Sequence, residues 1–166
     1  MNKFSLMLLA LSFAWIIWPF QLCFANTVPT TEDVPCNGNY SLNSQAEVDA
    51  WGDCDEIQGV LTISGADIHD LTPLSNLTYV SVLVIQGNTN LESLHGLHNL
   101  TGLLSGGIWL LINSNPKLTS LEPLGNITVG GIGEVQIKNN KRLKNLKGLE
   151  GIGGISWLRV ENNDSL

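Results

Sequence analysis

The chain has 166 residues, of which 15 are acidic and 8 basic, for a net charge of −7. That length suits one domain, and that acidity argues against nucleic acid as a partner. No basic residue occurs between Lys3 and Lys117. Residues 1–25 begin with Lys3, continue through the apolar run FSLMLLALSFAWIIWPF and end at Ala25, the pattern of a secretory signal peptide cut after that alanine. The run approaches the roughly 20 residues that span a bilayer, so an uncleaved anchor is the rival reading. Pro19 and Gln21 interrupt its end and favour cleavage. No second apolar run appears, so no transmembrane segment is expected after signal removal, and the mature protein is expected to be secreted or displayed at the cell surface.

Residues 26–35 read as a linker and residues 36–58 as an N-terminal cap. Removing the signal leaves Cys36 and Cys54, an even pair that in an exported chain predicts a disulfide. Ser44 with Glu47 three residues later is a capping box, predicting a short helix over about 45–51 with Val48 and Trp51 on one side.

From residue 59 to 166 the chain repeats itself about four and a half times. Ile63, Ile85, Ile112, Ile137 and Val160 are equivalent anchors spaced 22 to 27 residues apart. A period in the twenties predicts a solenoid, each copy being one coil stacked on the next. Each coil opens with period-two alternation, a short strand whose inward residues are Leu61/Ile63, Leu83/Ile85, Leu110/Ile112, Val135/Ile137 and Leu158/Val160. It continues with an apolar residue every third position, as in Leu118, Leu121, Leu124 and Ile127. Gradually turning 3₁₀ or extended arcs can present every third side chain to a common axis. Asn88, Asn115, Asn140 and Asn163 hold one position after the strand, where stacked amides can satisfy buried peptide groups. The first coil, one residue shorter, places Ala66 there. Leu166 is itself a ladder leucine, so the solenoid is expected to be incomplete at this end.

The phrases SQAEVDAWGDC, IQGVLTISG, NLESLHGLHNLT and NPKLTSLEPLGNIT resemble receptor L-domains. These are the leucine-rich-repeat-like solenoids of insulin and epidermal growth factor receptor ectodomains, found also in exported bacterial and fungal cell-surface proteins. The resemblance covers residues 36–166. It implies an α/β fold, a right-handed solenoid with one parallel sheet, displayed outside the cell, where such domains contact protein ligands.

No metal motif, phosphate loop, nucleophile elbow or cofactor signature occurs, so neither a cofactor nor catalysis is expected. His95 and His98 fall between inward leucines, on the solvent side. A β-helical polysaccharide-cleaving enzyme is the catalytic alternative, but the acids and bases it would need on the strand face are confined to the last coils. The outward strand positions are the candidate ligand face: Val82, Val84, Trp109, Leu111, Glu134, Gln136, Lys138, Trp157 and Arg159. Two tryptophans among aliphatics on such a face predict contact with a protein or glycan. Cover by a loop, by a further segment or by a neighbouring domain would explain them equally, and a passive structural spacer or cell-wall module, or an ectodomain fragment of a larger receptor, is the alternative function. The basic stretch KNNKRLKNLK reads as a solvated face of one repeat. Sequons at Asn39, Asn76, Asn99, Asn126 and Asn163 could carry glycans in a host that glycosylates exported proteins.

Overall fold

The computed structural model describes residues 36–103, 109–128 and 133–166. The expected signal peptide and linker lie outside the described residues. Among the described residues eight strands form one sheet: β1 (Cys36–Asn37), β2 (Tyr40–Leu42), β3 (Glu56–Ile63), β4 (Tyr79–Gln86), β5 (Gly102–Leu103), β6 (Trp109–Asn113), β7 (Glu134–Lys138) and β8 (Trp157–Glu161). Their order is β1-β3-β4-β6-β7-β8, with β2 also on β3 and β5 on β4, and every pairing is parallel. A chain that completes one circuit per repeat delivers each strand in the same direction, so this is a β-solenoid.

The register places like residues on like. Ile63, Ile85, Ile112, Ile137 and Val160 form one inward column, and Leu61, Leu83, Leu110, Val135 and Leu158 the other. The first four members of each are fully buried. Leu158 and Val160 are instead 54% and 38% exposed, because no described coil stacks upon β8. They keep the inward register without the burial that was expected of them.

The period-three stripe forms the opposite wall. Ile68, Leu71, Leu74 and Leu77 stack on Leu91, Leu94, Leu97 and Leu100, then on Leu118, Leu121, Leu124 and Ile127, all buried. In the fourth coil Leu146 and Leu149 are only partly buried. Single 3₁₀ turns at Thr72–Leu74 and Glu122–Leu124 begin with a proline near their start. The second and fourth coils carry glycine at the equivalent place: a Cβ on Gly96 would come within 1.9 Å of the Leu71 carbonyl oxygen, and one on Gly148 within 2.0 Å of that of Leu121. The proline coil and the glycine coil thus interlock. Because the arcs are turns and not helices, helix is sparse among the described residues, and the sheet dominates what the sequence suggested would be an α/β fold.

The one α-helix among the described residues, α1 (Gln45–Asp49), starts as expected but ends two residues early. Ser44 Oγ accepts from the Glu47 N–H at 3.3 Å, and the Glu47 carboxylate accepts from the Asn43 N–H. Val48 is buried, and Trp51 meets Tyr40 edge to face with ring centroids 5.6 Å apart.

The expected boundary between cap and coils at residues 58 and 59 falls inside β3. Residues 36–42 already form a rung of the sheet, with Tyr40, Ser41 and Leu42 in register with Leu61, Thr62 and Ile63. Where the register shifts between Ile57 and Val60, Asn39 Oδ1 accepts from the Val60 N–H at 2.9 Å. Cys36 and Cys54 are joined, with Cα atoms 6.1 Å apart and a separation of 18 in sequence. Closing a loop of that size contributes about 3 kcal/mol. Replacing both cysteines by serine is expected to lower the melting temperature by roughly 10 °C. Two freely alkylated thiols in the native protein would contradict the bridge.

Candidate ligand-binding face

The residues between the inward ones form three outward columns. The first is Val60, Val82, Trp109, Glu134 and Trp157; the second is Thr62, Val84, Leu111, Gln136 and Arg159; the third is Gln86, Asn113, Lys138 and Glu161. The backbone register runs Trp109 to Glu134 to Trp157 on consecutive rungs, although of Trp109 only this backbone place is described. Val82, Val84, Leu111, Glu134, Gln136 and Lys138 are half-buried, because neighbours on a rung about 4.8 Å away shield one another. Trp157 is 74% exposed, and Arg159 is exposed beside it.

Hydrogen bonds order the polar end of the face. Gln136 Nε2 donates to Glu134 Oε1 at 2.6 Å. Arg159 Nε donates to Glu161 Oε1 at 2.7 Å, and Lys138 Nζ stands 3.8 Å from the same carboxylate. The Arg159 hydrogen bond holds the Glu161 carboxyl below its ordinary range and raises the guanidinium in turn.

The asparagine ladder sets the strand spacing behind this face. Asn88, Asn115 and Asn140 are fully buried, and Asn163 half-buried. The N–H of each of the first three donates to the side-chain oxygen of the next, at 3.1, 3.0 and 2.9 Å. Each amide nitrogen donates backwards to the carbonyl of the last inward residue of the preceding strand, at Ile63, Ile85, Ile112 and Ile137. In the first coil the donor to Asn88 is the Gly65 N–H, not that of Ala66. The shorter coil turns one residue sooner, and a Cβ on Gly65 would come within 2.4 Å of the Asn43 carbonyl oxygen.

The left-handed backbone at this bend belongs to the residue before each ladder asparagine. Gly87, Ser114, Asn139 and Asn162 have φ of 69, 58, 57 and 53°. The sequence reading missed this position, for which the Asn139-Asn140 and Asn162-Asn163 doublets were the available signal. Asn162 Nδ2 donates to Asn139 Oδ1 at 3.0 Å, and Asn139 Nδ2 to Asn113 Oδ1 at 2.8 Å, forming a second amide row along the edge of the outward face.

The sequon residues are divided by these contacts. Asn76, Asn99 and Asn126 are exposed at one place in three coils. Asn99 Nδ2 donates to the Ser75 carbonyl at 2.8 Å, and Asn126 Nδ2 to that of His98 at 2.6 Å. Asn39 is exposed, with its oxygen on Val60. The Asn163 amide is committed to the ladder, so for this residue the ladder and glycan readings compete.

Elsewhere, the His95 and His98 rings stack 4.7 Å apart and 7° from parallel. Asp70 accepts from the Thr72 hydroxyl and N–H at 2.6 and 2.8 Å, bonds that hold its carboxyl below the ordinary range. Among the described residues no three histidine, cysteine or acidic side chains are grouped to hold a metal. Nor is any helix there long and apolar enough to cross a membrane.

A family model described as Receptor L domain matches residues 53–150. No curated protein and no solved structure matches the chain. The match is narrower than the resemblance over 36–166, yet β1, β2 and β8 outside it extend the same parallel sheet. It spans more than half of the sequence and takes in β3 to β7, the period-three stripes from Ile68 to Leu149 and the ladder from Asn88 to Asn140. On that ground the chain belongs to the Receptor L domain family.

Proposed function

We propose that this protein is an extracellular recognition module whose outward strand columns grip an extended protein segment or glycan chain laid across the coils. Receptor L domains are non-catalytic ligand-binding modules of ectodomains. The observation that carries the placement is the register of Trp109, Glu134 and Trp157 on consecutive rungs, beside Lys138 and Arg159. Rungs about 4.8 Å apart put the two tryptophan positions roughly 10 Å from each other, a span that suits stacking along a linear ligand. The signal-like start favours export, and β1, β2 and α1 would close the first coil, much as terminal repeats protect other solenoids.

A panel of surface glycans and extracellular protein domains supplies the ligand for the test. Trp157→Ala and Trp109→Ala are expected to weaken capture by tenfold or more. Truncation at the exposed Trp157 should change stability by no more than about 0.5 kcal/mol. Wild-type capture by both variants would end the proposal. Unfolding of Trp109→Ala would assign that indole to the core.

A further inference from the structure

We propose that Lys117, Lys141, Arg142 and Lys144 form a second binding patch, for an anionic polysaccharide bearing sulfate or carboxylate groups along its length. Lys117 and Arg142 each immediately precede a buried leucine, Leu118 and Leu143, and so occupy the same place in consecutive coils. Lys141 shares the turn closed by the Leu143 N–H on the Asn140 carbonyl at 3.0 Å. The Lys144 N–H donates to the Thr119 carbonyl at 3.4 Å, which sets its rung beside that of Lys117. The repeat thus gathers four cations onto one edge, on the turns that follow the strands and away from the outward sheet columns.

These cations are available. Lys141, Arg142 and Lys144 are exposed; Lys117 is half-buried, and its Nζ donates to Asn90 Oδ1 at 2.8 Å. The ion pairs among the described residues use Lys138, Lys147 and Arg159 instead. The nearest carboxylate by repeat position is Asp164, one rung beyond Lys141.

The charge of the whole chain does not forbid the contact. Residues 36–116 carry eight acidic and no basic residues, whereas residues 117–166 carry seven basic and five acidic ones. Seven of the eight acids precede the second coil, two rungs or more from Lys117 and three or more from the fourth coil, roughly 10 and 14 Å away; Glu92, whose carbonyl accepts from the Thr119 N–H, is one rung from the coil of Lys117. Screening acts over about 8 Å at 0.15 M salt, so all of the acidic half but Glu92 is largely hidden from a chain on the patch, and Glu92 is one acid against four cations. The class of polyanion follows from what is missing in the sequence around the cations. Residues 117–156 contain no aromatic residue on which a base could stack, so the patch offers charge without the platforms that single-stranded nucleic acids use.

The test measures binding of the whole protein to heparin and to polygalacturonate at 0.15 M salt. The wild type is expected to bind at least one of them, and the better probe identifies sulfate or carboxylate as the recognised group. Arg142→Glu with Lys144→Glu should lose tenfold or more. The milder Arg142→Gln with Lys144→Gln should lose roughly threefold with an unchanged melting temperature. Trp157→Ala should bind as the wild type does, which separates this patch from the strand face. Retention of neither polymer, wild-type binding by both double variants, or equal competition by single-stranded DNA would overturn the proposal.

Discussion

Leu121→Ala is expected to destabilise the protein by about 2–5 kcal/mol, read from the urea midpoint. Leu121 is fully buried between Leu94 and the fourth-coil Leu146, and its truncation leaves a cavity that rigid coils on either side cannot close. Ser120→Ala is the control. Ser120 lies beside the stripe, and its Oγ accepts from the Glu122 N–H at 3.0 Å at the start of the 3₁₀ turn. Losing that bond should cost about 1 kcal/mol, still well short of the leucine. Equal losses at the two positions would mean that the period-three stripe is not the core.

Asn115→Ala should be comparably damaging although it removes only a small polar side chain. Asn115 Oδ1 accepts from both the N–H and the amide nitrogen of Asn88, and its own amide nitrogen donates to the Ile85 carbonyl. Truncation takes the partners of the Asn88 N–H and the Ile85 carbonyl, both on the second coil, at about 1–3 kcal/mol for each group left unpaired. Asn115→Asp discriminates further. It keeps the acceptor but turns a carboxylate oxygen towards the Ile85 carbonyl and Asn140 Oδ1, where an amide nitrogen had donated. Burial and these facing oxygens raise the folded-state pKa of the new carboxyl above the unfolded value of about 3.9. The variant's deficit relative to wild type should therefore be smallest below that pH and grow as pH rises through it. A pH-independent deficit would show that the amide nitrogen is dispensable.

The strand columns and the stripe were legible because both are periodic apolar patterns, and every coil repeats them. Ile63 and Ile85 announce each other. The rung made by β1 and β2 was not legible, since two or three residues such as Tyr40–Leu42 are too few to show an alternation. The ladder's origin at Gly65 was hidden for a related reason: what enters the ladder there is a backbone N–H, which no side-chain alignment reveals. On the candidate face, the register of Trp109, Glu134 and Trp157 could be read by counting from the inward anchors. The half-burial of Val84 and Leu111 could not, because it depends on how adjacent rungs shade each other. The second amide row escaped as well, because it needs the left-handed turn at Asn139 to bring that side chain onto Asn113.

The ladder also dictates where a repeat of this kind can grow. Fourteen or fifteen residues separate the inward isoleucine of each of the first four coils from the last stripe residue, Leu77, Leu100, Ile127 or Ile152. The stretch from that residue to the next anchor varies from eight to twelve. Every coil is thus rigid in length along its bonded arc and elastic at one corner, the approach to the next strand. The asparagine corner holds its spacing from coil to coil, whereas the approach to the next strand takes up the difference in length. New surface can be added to such a domain along a single seam.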